Sequence, residues 1–344
     1  MTHKISLYCQ TTRAKLIGLL LLAHLPSSIL AQDVPFDAPP LLEFKPLPTF
    51  TPHMTTFVCK HEDRETIPLD PEADRWYAKT IELENSSADD DHRANAEMVR
   101  LMRKAVERKH WKAMVALSRM YHQGRERTLP DGRPAAAQLM EQAMRLGVPA
   151  AYYKVGTWLD EGFSLRAAPS ADPHADPVVH VKRLSYAFLQ KAAAMGNPDA
   201  MTTLGTMIPF HDVESTDATP AERAVGKKML QCAFEQGYGP AAYYLASTAE
   251  GATAAEREQA VQVLHEGVKL GCIHCAGKLG IEYGPEDTGG NKTLSRKIDL
   301  TRAQAYNDFR SALAFHPDWR FPNLDKVLPC LQRNCHRSPG RRTA

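Results

Sequence analysis

The chain has 344 residues, 43% of them hydrophobic and 24% charged, with a formal charge of +2. That balance fits a folded protein and argues against a disordered or collagen-like chain. A charge so close to zero gives no electrostatic pull toward nucleic acid or an anionic membrane.

The first thirty residues stand apart. Lys4, Arg13 and Lys15 precede or open an apolar run, Leu16 to Ala23, which His24 and Pro26 break before Ala31 and Gln32. A basic start, a short apolar stretch and a small residue at its end predict a cleaved signal peptide over 1–31. The run is short for a membrane helix, and a retained N-terminal anchor is the alternative. Cleavage takes the formal charge from +2 to −1. Cys9 lies before the apolar run, so it is lost with the leader.

Residues 32–92 read as an N-terminal arm, rich in proline at first and then acidic. Positions 61–92 carry eleven acidic and three basic side chains, and 93–133 carry eleven basic and four acidic. Three readings stay open. The charges form a solvated face, with Asp89, Asp90 and Asp91 at a helix N-terminus; the acidic arm docks on the basic first repeat; or that repeat awaits an acidic partner.

From 93 to 316 one pattern recurs five times: Gly-x3-Ala-x3-Leu-Gly-x2-Tyr. Its copies begin at Lys109, Gly147, Gly196, Gly237 and Gly271, spaced 38, 49, 41 and 34 residues apart. The alanine, leucine and tyrosine fall on one helical stripe, and the small residues admit a second helix closely. The leading glycine ends the preceding helix in a left-handed cap. A second helix precedes each copy, over Ala94 to Arg108, Ala135 to Leu146, Leu184 to Met195, Ala224 to Glu235 and Ala260 to Leu270. One more, Ala303 to Phe315, follows the last. The third and fourth copies lack parts of the motif and are expected to be distorted. Residues 317–344 read as a cap and a basic tail.

Helix pairs that cannot bury their apolar faces alone must stack, so the fold class is an all-α, α/α superhelical solenoid of about five pairs with an extended N-terminal arm. The pattern resembles the Sel1-like repeat family, relatives of the tetratricopeptide repeats. The flanks, Phe57-Val58-Cys59-Lys60-His61-Glu62 and His316-Pro317-Asp318 with Phe321-Pro322, are similar to exported bacterial Sel1-repeat proteins. Some of those sit beside type VI secretion lipase effectors and serve as their immunity proteins.

Six cysteines remain after the leader: Cys59, Cys232, Cys272, Cys275, Cys330 and Cys335. An even number in an exported chain points to disulfides, with fifteen full pairings open and Cys330–Cys335 a candidate local bridge. Cys272-x2-Cys275 also admits a metal or redox reading, but a zinc site needs two more ligands that no motif supplies. No cofactor is expected. No nucleophile elbow, phosphate loop or zinc-helix motif occurs, and the reading is not an enzyme.

The expected partner is a protein. First-helix faces should offer Trp111, Tyr153 and Tyr243, two residues from the alanine stripe, as aromatic anchors or as packing between repeats. Three long connections, 163–182, 209–221 and 285–300, should emerge along one edge. Their candidates are Arg166, His174, Asp176, Phe210, Asp212, Glu214, Glu286 and Asp287; neutral insertion is the competing explanation. The resemblance implies a periplasmic immunity protein that sterically neutralises a secreted toxic effector of the lipase class. The alternatives are an envelope-signalling scaffold and, less favoured, a cell-wall-active enzyme.

Overall fold

A computed structural model describes residues 56–329, apart from 66, 87–91, 125–131, 162–173, 175, 208–218, 248–252, 286–291 and 296. Among the described residues every regular element is a helix. These are α1 (Glu62–Glu65), α2 (Pro71–Ser86), α3 (His92–Glu107), α4 (Trp111–His122), α5 (Arg133–Arg145), α6 (Pro149–Asp160) and α7 (Pro177–Ala194). There follow α8 (Pro198–Met207), α9 (Pro220–Glu235), α10 (Gly239–Ser247), α11 (Ala254–Lys269), α12 (Ile273–Tyr283), α13 (Leu300–Phe315) and α14 (Leu324–Val327). None is long and apolar enough to cross a membrane. The chain is an α/α solenoid: α4 pairs with α5, α6 with α7, α8 with α9, α10 with α11 and α12 with α13, and the second helix of each pair packs on the first of the next.

The pairing begins earlier than the motif. Inside the segment read as an extended arm, α2 supplies a partner for α3. The Asp70 carboxylate caps α2 by accepting from the N–H groups of Glu72 (3.0 Å) and Ala73 (2.9 Å), and Pro71 suits a first helical turn. Ala73, Trp76, Tyr77, Thr80 and Leu83 recur at helical spacing; all but Thr80 belong to the apolar cluster built around α3 to α6. The acidic helix does meet the basic first repeat. Arg108 pairs with Glu72 (2.6 Å) and Asp70 (3.3 Å), His110 with Asp74 (3.2 Å), and Arg119 with Glu84 (3.7 Å). The arginine pairs are part-exposed and contribute about 0–1 kcal/mol each; His110 is buried. The apolar stripe therefore holds the contact, and the charges set its register.

The repeated alanine is the closest point between helices. Ala113, Ala151, Ala200 and Ala241, and Cys275 in their place in the last copy, are all 0% exposed. Leu117, Val155, Leu204 and Leu279 lie one turn on and are buried beside them; each such side chain contributes about 1.5–3 kcal/mol by leaving water. The fourth copy has only a half-buried Leu245. Its helix α10 has nine residues and α8 has ten, against twelve in α4 and α6, which matches the losses in those two motifs.

The leading glycines turn the chain with left-handed backbones, φ of 75° at Gly147, 105° at Gly196, 85° at Gly237 and 81° at Gly271. The second helices start earlier than their apolar signatures. Asp176 caps α7, so the long connection read to 182 ends at 176. Thr219 with Glu222 and Thr253 with Glu256 form capping boxes on α9 and α11.

Candidate functional site

Two flanking segments, residues 56–62 and 316–329, lie along one edge of the repeat array, the edge where second helices turn into the next first helices. Residues 56–62 cross the later turns. Glu62 donates its N–H to the Gln236 Oε1 (3.0 Å), and Gln236 Nε2 donates to the Lys60 carbonyl (3.2 Å). The Glu62 carboxylate accepts from Asn197 Nδ2 at 3.1 and 3.2 Å. At Gly196 the backbones come so close that a Cβ would stand 2.8 Å from Glu62 N. A Cys59–Cys232 disulfide fastens the segment to α9. Burial pushes the Glu62 carboxyl up to about 7; the Asn197 bond opposes this, and nearby Asp199 adds to it.

Residues 316–329 fold back over the last turn. Phe321 N–H donates to the Lys269 carbonyl (2.9 Å). Asp325 takes His265 Nε2 (2.8 Å) and Lys269 Nζ (2.7 Å), while His265 Nδ1 meets the Tyr306 hydroxyl (2.7 Å). A histidine beside a carboxylate invites a catalytic reading. His265 is 1% exposed with both ring nitrogens engaged, so it has no lone pair for a substrate and serves as a clasp. Its burial lowers its pKa, against the pull of Asp325.

With that edge occupied, the faces of the first helices carry the open ground. One groove of about 310 Å³ lies over α4. Trp111, Tyr77, Val115 and Ala116 form its apolar surface, and Lys112, Arg119 and Lys154 its charge. A second, of about 560 Å³, lies between α12 and α13, with Tyr243, Ile273 and Ile281 beside His274, Lys278 and Arg310. No carboxylate stands among the described residues that line either groove. Both combine aromatic surface with positive charge, the composition that favours binding anchors.

Two of the three aromatic candidates lie at these grooves. Trp111 is 7% exposed and gives most of its ring to the core. Tyr243 is half-buried and sits 5.6 Å from the His274 ring. Tyr153 instead packs between repeats: it belongs to the core cluster around α8 and α9, and a bond from Thr203 and the charge of Asp199 act on its hydroxyl. Of the loop candidates, Asp176 is the helix cap already described and His174 is exposed. Arg166, Phe210, Asp212, Glu214, Glu286 and Asp287 lie outside the described residues, as do Cys330 and Cys335.

The cysteines that are described pair as Cys59–Cys232 and Cys272–Cys275. His61 lies beside the first pair, its ligand atom within 4.8 Å of both sulfurs, but sulfurs joined to each other are not thiolate ligands. Cys272 also caps α12, accepting from Cys275 N–H at 3.0 Å. Lys112, Lys154, Ile281 and Arg310 were missed in the sequence. They belong to no motif, and only the stacking of successive helices brings them to one face.

No protein-family model matches the chain, and no curated protein matches it. Solved structures do. The immunity protein Pa5087 from Pseudomonas aeruginosa is 30% identical with a TM-score of 0.60, over 80% of this chain and 94% of that one. The immunity protein PA5088 from the same organism is 28% identical with a TM-score of 0.59, over 80% and 94%. A third structure, Pseudomonas aeruginosa 5086, is 28% identical with a TM-score of 0.60, over 79% and 94%.

Proposed function

This chain, a Sel1-like repeat solenoid, belongs to the same family as the immunity protein Pa5087, and from that premise we propose that it is itself an immunity protein. It is exported to the periplasm, where it binds a toxic effector delivered by a type VI secretion system and blocks it sterically. The effector class is a lipase, as the resemblance of the flanking segments implies. The work of such a protein is binding rather than catalysis.

The observation that carries the reading is the pair of basic, aromatic grooves on the first-helix faces. Cations at the rim of a contact speed encounter with an acidic surface and make it salt-dependent. Apolar and aromatic side chains then hold the complex once water is excluded.

The test is to delete the gene in its own host and challenge the strain with the neighbouring effector. The deletion strain is expected to die and to recover when the chain is restored. Full resistance without the chain sinks the proposal. In purified form, Lys112→Glu combined with Lys154→Glu should slow association about tenfold at low salt and much less at high salt, as read by stopped-flow mixing.

A further inference from the structure

The groove between α12 and α13 sits where the solenoid stops. By the repeat, Gly277 and Arg310 correspond to Tyr243 and Gly267 one unit earlier. There, both positions are covered by the next helix pair: Tyr243 rings against His274 of α12, 5.6 Å between centroids, and Gly267 lies under Cys275 of α12, whose sulfur is 2.6 Å from where a Cβ would stand. Among the described residues no further pair follows α13. The chain turns back at residues 316–321 and lies against the last turn, with the Phe321 N–H on the Lys269 carbonyl. Among the described residues, the surface that each earlier unit buries under a following helix is left open at the last.

That surface has the makings of a helix seat. Ile273, Gly277 and Ile281 lie at i, i+4 and i+8 along α12, with Ala314 and Phe315 of α13 facing them. Ile281 is 38% exposed and Phe315 is 82% exposed. The bare Gly277 lets a neighbouring backbone approach, with only the Arg310 Cδ within reach, at 3.1 Å from where a Cβ would stand. The polar groups are of one sign. His274 and Arg310 are exposed, and Lys278 is held by the buried Glu282 at 3.2 Å.

Resting on the immunity reading, we infer that this open end takes one helix of the effector, continuing the solenoid with a helix from another chain. The incoming helix carries apolar side chains at three- and four-residue spacing over Ile273, Ile281 and Phe315, and carboxylates toward His274 and Arg310. Charge decides between occupants. A second copy related by a two-fold axis would bring the same cations against one another. The chain's own residues 330–344 hold four arginines and no acidic residue. An acidic helix from a partner is the occupant that complements the groove.

The test uses full-length chain and purified effector, with affinities from calorimetry. Arg310→Glu and Ala314→Trp should each weaken binding at least tenfold, the first by reversing charge and the second by filling the seat. Both positions are exposed, so melting temperatures should match the wild type. Lys228→Glu, exposed on α9, is the control and should bind normally. If the wild type binds and both groove variants bind equally well, the helix seat is wrong while the immunity reading stands. If the wild type binds no effector, the immunity reading itself falls. A photo-crosslinking residue at Phe315 should join the chain to a helix of the effector; an adduct with a second copy overturns the assignment.

Discussion

Lys109 is the only non-glycine described residue with a left-handed backbone, at φ 60°, and it occupies the place that glycine holds in the four later copies. An L side chain costs roughly 1–2 kcal/mol in that conformation. Lys109→Gly should therefore stabilise the protein by about 0.5–1 kcal/mol after glycine's extra unfolded-state entropy is deducted. Thermal unfolding should show a midpoint higher by a degree or more; a lower midpoint would mean that the lysine makes a contact worth more than the strain. The motif alone marked this residue as the odd member of its set. Glu62 carries no such mark. Its partners Asn197 and Gln236 lie 135 and 174 residues away, and nothing periodic links them, so its burial appears only in the fold.

The α10–α11 pair departs from those before it in a way that explains itself. Where earlier second helices place Ala143, Ala192 and Ala233, α11 places Gly267. Opposite stands Cys275 in the alanine stripe, and a Cβ on Gly267 would meet its sulfur at 2.6 Å and the Ala242 Cβ at 2.7 Å. The glycine makes room for the disulfide. Gly267→Ala should cost about 1–3 kcal/mol by overpacking. Adding Cys275→Ala should recover part of that loss, because the sulfur leaves but Ala242 remains. Equal costs for the single and double variants, measured by denaturant unfolding, would show that the sulfur is not the obstacle. Helices α3 to α13 were readable because their small residues repeat in phase. Helix α2 was not, because it lacks the leading glycine and its many acidic residues read as an arm. Its signals were the Asp70-Pro71 start and the apolar spacing from Ala73 to Leu83.

The two ends of the molecule are fastened by chemistry that responds oppositely to acid. Glu62 has its carboxyl raised from 4.5 to about 7 by burial. Its clasp contributes fully below about 4.5 and fades as pH rises through 7. The other clasp runs the other way. Burial lowers the His265 pKa from 6.5. Burial would raise Asp325, but its bonds to Lys269 and His265 outweigh this and hold it below 3.8. That contribution is present above about 6.5 and is lost as pH falls, first through His265 and then through Asp325. Hydrogen exchange, corrected for intrinsic rates, should show residues 56–62 better protected at pH 5 than at pH 8 and residues 316–329 the reverse. Glu62→Gln should abolish the first trend alone. Parallel trends at both ends would contradict the assignment. The two-sided arrangement was not readable beforehand: the sequence singled out the flanks by resemblance, while the edge they cover depends on how the repeats stack. The grooves were half readable, since Trp111 and Tyr243 follow from their offset to the alanine stripe.

The Cys59–Cys232 bond spans 173 residues in an architecture whose helix-on-helix packing joins neighbours. A solenoid can fold pair by pair as it emerges, but this link must wait. At about 5–20 residues per second, the second cysteine is made roughly ten to thirty seconds after the first. During that interval Cys59 has no Cys232 to pair with. The bond ties the segment before the first described helix to α9, so its closure requires the helices between them to be stacked in place.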